Sequence, residues 1–454
     1  MIAMTRSRER SRCWTSLLSR FAVGIALLAV VGACAKKEPD PGPWPQWRGV
    51  GGQGISTEAA SLPVSWTGDS GIRWSTELPG EGISSPIVGP GTVYVTADEA
   101  AGENRLFSLL AIDMKSGDIR WTRPLLERGE ETLHLLNRAA AATPATDGQH
   151  IYVYLGSHLG AVDLDGNVLW LEEIDPDYLE HSRYGTGSSL VLTDDLVIVF
   201  QDLELWEDGT GWIAGFRKSD GERMWITEWD DSCCSYTTPI LLDFAGETEL
   251  LVSHARKISS YRASTGEVLW EREQIVNQPV ASPVKDGDLL CSASGAHGVR
   301  EIGCWRLAWK DGERSVERLW SEPKGAPATA SPLLFNGLFF TVHEKGIIGC
   351  YDPETGQRLW QKRLPRGGYH SSPVAADGKI YAVNHLGIVA VVAASPTFEL
   401  LGESQLPEGN VVASPAIADG CLLVRTDKHL YCVDGGTEDG EESGDQAPAP
   451  SRAS

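Results

Sequence analysis

Apolar residues in this chain fall in short runs that alternate with polar ones or stay apolar throughout, as in Val93-Tyr94-Val95 and Ile380-Tyr381-Ala382-Val383. That is the pattern of half-buried and fully buried β-strands. The runs come in ordered sets. A small residue and Ser-Pro or Thr-Pro open the sets, and a hydrophobic run follows. A third run ends at or near an acid, as in Ala111-Ile112-Asp113, Ala161-Val162-Asp163 and Cys350-Tyr351-Asp352. A turn containing glycine then leads to a last run closed by tryptophan. The openings fall at Pro86, Pro144, Leu190 (in place of Pro), Pro239, Pro283, Pro332, Pro373 and Pro415, and the closing tryptophans are Trp121, Trp170, Trp225, Trp270, Trp320 and Trp360.

Four strands in a repeat of roughly 45 residues predict an all-β chain of antiparallel β-meanders arranged as propeller blades. Eight openings predict eight blades. The set opened by Pro415 has no tryptophan strand after it, whereas a strand-like run, Ile72–Glu77 with Trp74, precedes the first opening. Lending that strand to the last blade closes the ring and leaves no free edge. The expectation is one eight-bladed propeller over 72–434.

The small residues of each set have mechanical readings. Ser116-Gly117, Thr265-Gly266 and Thr355-Gly356 supply turns that tolerate positive φ. The acids before them, Asp113, Asp163 and Asp352, are positioned to accept hydrogen bonds from those turns. The tryptophans bury large apolar faces against the neighbouring blade.

The pattern Ala-x-Asp-x-x-Thr-Gly-x-x-x-Trp resembles the tryptophan-docking repeat of the quinoprotein-like, or PQQ-repeat, propellers. Trp44-Pro45-Gln46-Trp47-Arg48-Gly49, followed by Gly54-Ile55-Ser56, is similar to the opening of secreted bacterial members of that superfamily. The resemblance covers 44–434. It implies either of two activities, because the superfamily holds quinone-dependent alcohol dehydrogenases and also non-enzymatic members, such as the propeller lipoprotein of the outer-membrane β-barrel assembly machinery.

Composition narrows the partners. The 454-residue chain has a formal net charge of −23, which argues against nucleic acid and against anionic membrane surfaces. Residues 1–33 read as a signal peptide, with a basic stretch through Arg6–Arg12 and Arg20 and a short apolar core over Phe21–Val31. They end in Val31-Gly32-Ala33-Cys34, which resembles a bacterial lipobox and makes Cys34 the expected lipidation site. Residues 34–71 then form the lipidated end, a polar tether and an N-terminal cap. The absence of Asp after Cys34 implies delivery to the periplasmic side of the outer membrane. Residues 435–454 are mostly Gly, Glu, Asp, Pro, Ala and Ser, and are expected to be a disordered acidic tail.

Cysteine usage fits an oxidising compartment. Cys291 with Cys304, and Cys421 with Cys432, face each other across expected hairpins and are expected as two cross-strand disulfides. Cys233-Cys234 is an adjacent pair. By resemblance to quinoprotein dehydrogenases, such a pair lies against the quinone face, so PQQ with calcium is the cofactor of that alternative, whereas the leading reading expects no cofactor. The calcium-ligating Glu, Asn and Asp of those enzymes have no matching motif in this chain.

In a propeller the loop before the innermost strand and the loop between strands two and three share one face. That register places Asn137, Arg138, His181, Arg183, Tyr184, Cys233, Cys234, Tyr236, Asn277, Gln278 and His370 at the channel mouth. It places His158, His254, His343 and His385 on the rim of the same face. The histidines could bind a ligand or metal, or simply share a repeat position. Gly185-Thr186-Gly187 leads into a strand and lacks the helix that a phosphate loop needs. With no Cys-x-x-Cys or His-Glu-x-x-His spacing, no metal is expected. The leading functional expectation is a non-catalytic, lipid-anchored, monomeric scaffold that binds an envelope protein or peptide. The alternative is a PQQ-dependent dehydrogenase of alcohols or sugars.

Overall fold

The computed structural model describes residues 40–434 apart from 59–61, 69, 130–132, 134–136, 182–183, 203–210, 230–233, 245, 297–298, 311–312 and 324, and describes His181 by its backbone alone. The expected signal segment, Cys34 and the acidic tail lie outside the described residues. The chain folds as eight four-stranded antiparallel sheets. Blades one to seven run in chain order and begin at Ile87, Ala145, Val191, Ile240, Val284, Leu333 and Val374. Blade eight takes three strands from Ala416–Val433 and its outermost strand from Ile72–Glu77, which pairs antiparallel with His429–Val433. The eight-bladed β-propeller read from the repeat is the fold, and the early tryptophan strand closes it.

The Ser-Pro openings have a second use. Each innermost strand is an edge strand, so the N–H of the Ser or Thr before its first residue has no ladder partner within its own blade. It donates instead to the hydroxyl at the same position of the next blade. Ser85 donates to Thr143 at 2.9 Å, Thr143 to Ser189 at 3.1 Å, Ser189 to Thr238 at 3.0 Å and Thr238 to Ser282 at 2.8 Å. Ser282 donates to Ser331 at 2.9 Å, Ser331 to Ser372 at 2.9 Å, Ser372 to Ser414 at 3.1 Å, and Ser414 back to Ser85 at 3.0 Å. The circle is complete, and it surrounds the propeller axis. Proline usually follows each member, where a residue without an N–H adds no further donor.

Tryptophan docking ties the outer parts of the blades. The indole of Trp74 lies over Gly117 of blade one, where an added Cβ would come within 2.7 Å of the ring, and its Nε1 donates to Met114 O at 3.0 Å. Trp320 repeats this over Gly356 of blade six, with Nε1 donating to Pro353 O at 2.8 Å. Both glycines have φ near +75°, at +78° and +72°, so one small residue serves both the turn and the indole. The acid of each repeat holds the same turn: Asp113 Oδ1 accepts from the amides of Lys115 and Ser116, and Asp352 Oδ1 from those of Glu354 and Thr355.

Two blades depart from the repeat. Blade seven has no outer tryptophan, and the N-terminal segment covers that edge instead. The Trp66 amide donates to Ser404 Oγ at 2.7 Å, and Gly402 packs directly on the Val64 carbonyl. Blade five replaces the Gly turn with a longer hairpin, Glu301–Lys310 against Glu313–Glu322. Trp270 of blade four therefore donates to buried Glu249 of its own blade, and Arg314 from the blade-five hairpin completes that carboxylate's shell.

The segment before the ring closes one end of the axis. Trp44 forms a bridge with Val88 of blade one, and Pro45 O accepts from Thr146 of blade two at 2.8 Å. Gln53 Oε1 accepts from Lys285 of blade five at 2.8 Å, and Arg48 Nη2 donates to Pro332 O of blade six at 2.6 Å. Ile55 bridges Ala375 of blade seven. Trp44 and Arg48 are fully buried, and burial lowers the Arg48 guanidinium to about 9. This segment is a plug stitched to five innermost strands.

Candidate functional site

Above the plug, the propeller axis holds a cavity of about 320 Å³. Trp47 from the plug lines its closed end, and the Ser/Thr circle contributes Ser85, Thr143, Ser189, Ser372 and Ser414 to its wall. The loops that enter the innermost strands form the mouth, bringing Asn137, Tyr184, Tyr236, Gln278 and His370 together from different blades. The ring members are buried, whereas Asn137, Tyr184, Tyr236 and His370 are half-exposed. The expected sharing of one face by these loops and the strand-two loops is seen directly: His385 of the latter set exchanges contacts with Gly368 of the former, whose amide donates to His385 Nδ1 at 2.8 Å.

The glycine-rich Gly185-Thr186-Gly187 stretch makes the mouth possible. An added Cβ at Gly187 would meet the Tyr236 side chain at 2.6 Å, and one at Gly185 would meet the Asn137 amide at 2.8 Å. Gly185 also has φ of +76°. The two glycines admit the neighbouring side chains to the axis. Asn137 is held further by donating to the carbonyls of Tyr184 and Thr186.

The remaining sequence-selected residues lie in several settings. Arg138 reaches Glu81 at 3.3 Å and lines a side chamber of about 170 Å³ with His370, His385, Asn410 and Asp427. Asn277 is half-exposed and is not in the cavity wall. Cys234 is buried, with φ of +52°, and lies 3.0 Å from Gln278 Nε2, behind the cavity wall. Arg183, Cys233 and the His181 side chain lie outside the described residues.

Among the described histidines, His370 and His385 converge. His158 bonds Ser157 at 2.9 Å, and His343 meets Arg300 at 3.0 Å and Glu344 at 3.3 Å. His254 corrects the expectation of a rim residue: it is buried, edge-on to Trp229 with centroids 4.6 Å apart and 2.8 Å from the Tyr261 hydroxyl. Blade symmetry explains the dispersal, since equivalent positions share a face but are spread around a wide circle. Burial pulls the His254 imidazole down to about 3, with Lys257 adding to the effect, and burial also lowers His158, His343 and His370. Among the described residues no cluster of three or more His, Cys, Asp or Glu could hold a metal ion.

Cys291 and Cys304 are directly opposed in blade five and are disulfide-bonded. The second expected disulfide is corrected: Cys421 and Cys432 are buried thiols. Cys432 pairs with Leu423, so Cys421 lies two residues out of register as a diagonal neighbour, and its thiol donates to Asp419 O at 3.5 Å.

Trp47 and the hydroxyl circle were not picked out as site residues from the sequence. The Ser-Pro repeat signalled the circle but also reads as a plain strand start, and Trp47 was visible within the opening motif.

Comparison with known proteins agrees with the architecture. The family model described as outer membrane protein assembly factor BamB matches residues 55–185 and 209–443. No curated protein matches the chain. BamB from Moraxella catarrhalis is similar in structure, with a TM-score of 0.54 and 13% identity over 80% of this chain and 98% of that one. The quinohemoprotein alcohol dehydrogenase of Comamonas testosteroni gives a TM-score of 0.61 at 14% identity, covering 89% of this chain and 82% of that one. The computationally designed Ika8 protein gives 0.52 at 12% identity, covering 78% and 99%. At such identities these likenesses speak to the fold. The extent of the family match does more: this chain belongs to the BamB-like PQQ-repeat propeller family.

Proposed function

We propose that this chain is a non-catalytic binding scaffold of the bacterial cell envelope, anchored through a lipid on Cys34 at the periplasmic side of the outer membrane. It works as a monomeric ring that presents the cavity-mouth loops to an envelope protein or an extended peptide. One observation carries this reading. The plug blocks one end of the axis, and the open end gathers neutral recognition side chains, Asn137, Tyr184, Tyr236, Gln278 and His370, from loops of different blades. Aromatic and amide groups on a rigid frame suit partner recognition. Family membership supports the compartment, since the matched family is named for outer-membrane protein assembly.

The dehydrogenase alternative asks for residues that the described lining of the cavity does not offer. PQQ is a planar tricarboxylate, and its calcium takes oxygen ligands that include carboxylates. Among the described lining residues there is no Asp, Glu, Lys or Arg, so the donor set fits neither the cofactor's charges nor its metal. Cys234, the described member of the vicinal pair, lies behind Gln278 and does not face the cavity.

Tyr184→Ala combined with Tyr236→Ala tests the scaffold reading. Crosslinking in envelope membranes should lose the partner adduct, while the melting temperature stays that of the parent chain. Persistence of the adduct would show that another surface carries recognition. Saturable PQQ–calcium binding, seen by absorbance and thermal shift, would move the chain to the enzymes.

A further inference from the structure

The chemistry of the cavity wall selects a ligand class. More than half of the lining residues carry a neutral hydrogen-bonding side chain: serines and threonines of the ring, Thr186, Thr329, Asn137, Gln278 and the two mouth tyrosines. Three aromatic residues, Trp47, Tyr184 and Tyr236, bound the same space. Among the described lining residues none bears a formal charge at neutral pH, the only titratable near neutrality being His370, whose imidazole burial holds in the neutral form.

Each ring hydroxyl already accepts an amide from the neighbouring blade, as Ser85 does from Ser414 and Ser372 does from Ser331. Its O–H proton remains to donate. The wall thus offers a band of hydroxyl donors around the axis, with amide groups and aromatic surfaces beyond it. A purely apolar ligand would strip water from this band and return no hydrogen bonds. An ionic ligand would lose its hydration with no counter-charge to replace it, and would meet the field of a chain of net charge −23 if anionic. A neutral ligand with an apolar ring face and many hydroxyl groups satisfies both conditions. A cavity of about 320 Å³ lies at the small end of ligand pockets.

We infer that the blind axial cavity is a binding site for a neutral saccharide unit, seated between Trp47 and the mouth tyrosines and hydrogen-bonded by the Ser/Thr circle. The inference concerns binding without turnover and stands apart from protein capture at the mouth.

The test is calorimetric titration of the full purified chain with neutral probes: glucose, galactose, N-acetylglucosamine, maltose and trehalose. Glucuronate, glucosamine and indole serve as charged and non-hydroxylated counterparts. At least one neutral saccharide should bind saturably, and the counterparts should bind about tenfold more weakly or worse. Gln278→Ala and Tyr184→Ala should each weaken binding by about tenfold with the melting temperature held, whereas Trp309→Ala on the exposed blade-five hairpin should leave binding intact. Should the cavity variants fail to fold, hydrogen exchange of the parent chain decides: the bound saccharide should slow the amides near Ser85, Thr186–Ser189 and Ser372. No saturable binding by any neutral saccharide, equal binding of the charged counterparts, or protection elsewhere would overturn the inference. Saccharide binding by a chain that captures no protein would leave this inference standing and reject the scaffold reading.

Discussion

The backbone N–H of Ser414 donates to Oγ of Ser85 at 3.0 Å, joining residues 329 positions apart in the chain. That bond closes the hydroxyl circle, and it makes the last blade answerable to the first. Ser85→Ala would leave the buried Ser414 amide without its acceptor, which costs about 1–3 kcal/mol. Chemical denaturation should show the loss for Ser85→Ala and for Ser282→Ala alike, since Ser282 occupies the same place between blades four and five. A change within experimental scatter at both positions would mean that the circle is a by-product of blade geometry.

Glycine at the docking turns can be tested against glycine at a turn that docks nothing. Gly117 and Gly91 have similar φ, +78° and +69°, but only Gly117 lies under an indole. Gly91→Ala should cost the left-handed backbone penalty alone, about 1 kcal/mol. Gly117→Ala must also displace Trp74, and should cost roughly 2 kcal/mol more, within the range seen for overpacked cores. Equal losses in urea titrations would show that the Trp74 contact yields freely.

Stability should fall on acidification through a window set by His254. Its folded-state value, about 3, lies below its ordinary 6.5. The unfolded chain therefore binds the extra proton first, and stability is full above 6.5 and declines as the pH drops towards 3, by at most about 1.4 kcal/mol per pH unit from this group. His158, His343 and His370 are lowered too and act in the same direction. His254→Gln should flatten the pH profile of the unfolding midpoint between those limits. An unchanged slope would assign the acid sensitivity to other groups.

Peptide mapping after alkylation of the unfolded, unreduced chain should find Cys291 linked to Cys304, with Cys421 and Cys432 both alkylated. A crosslinked Cys421–Cys432 peptide would instead show that blade eight relaxes enough to bring the diagonal pair together.

How far the sequence carried differs between the frame and the site. Ser-Pro, the alternating runs and Trp74 placed every blade, because each signal is local and repeats. Cysteine pairing in blade eight failed on a smaller point. The hairpin is centred between Asp427 and Lys428, since Arg425 pairs with Leu430, and that centre puts Cys421 and Cys432 two residues out of register. Local composition does not fix such a shift. His254 shares its repeat position with rim residues, yet Trp229 from the neighbouring outer strand covers it, a contact between segments that no single repeat reveals. Trp47 was visible in the opening motif, but its place at the closed end of the cavity depends on where the plug crosses the ring. The mouth residues Tyr184, Tyr236, Gln278 and His370 were legible because the propeller register dictates the face on which each loop emerges.

The strand Ile72–Glu77, paired with His429–Val433, sets an order on folding. During synthesis this strand appears first and its partner last, so seven blades can form while the eighth waits for the end of the chain. Contacts of such long sequence separation form late and slowly. Until they do, both ends of the unfinished arc expose unsatisfied surface that invites association with other chains. Any truncation before Val433 would therefore give an arc open at both ends and prone to aggregation, whereas loss of an internal repeat would still leave the two terminal strands able to find each other.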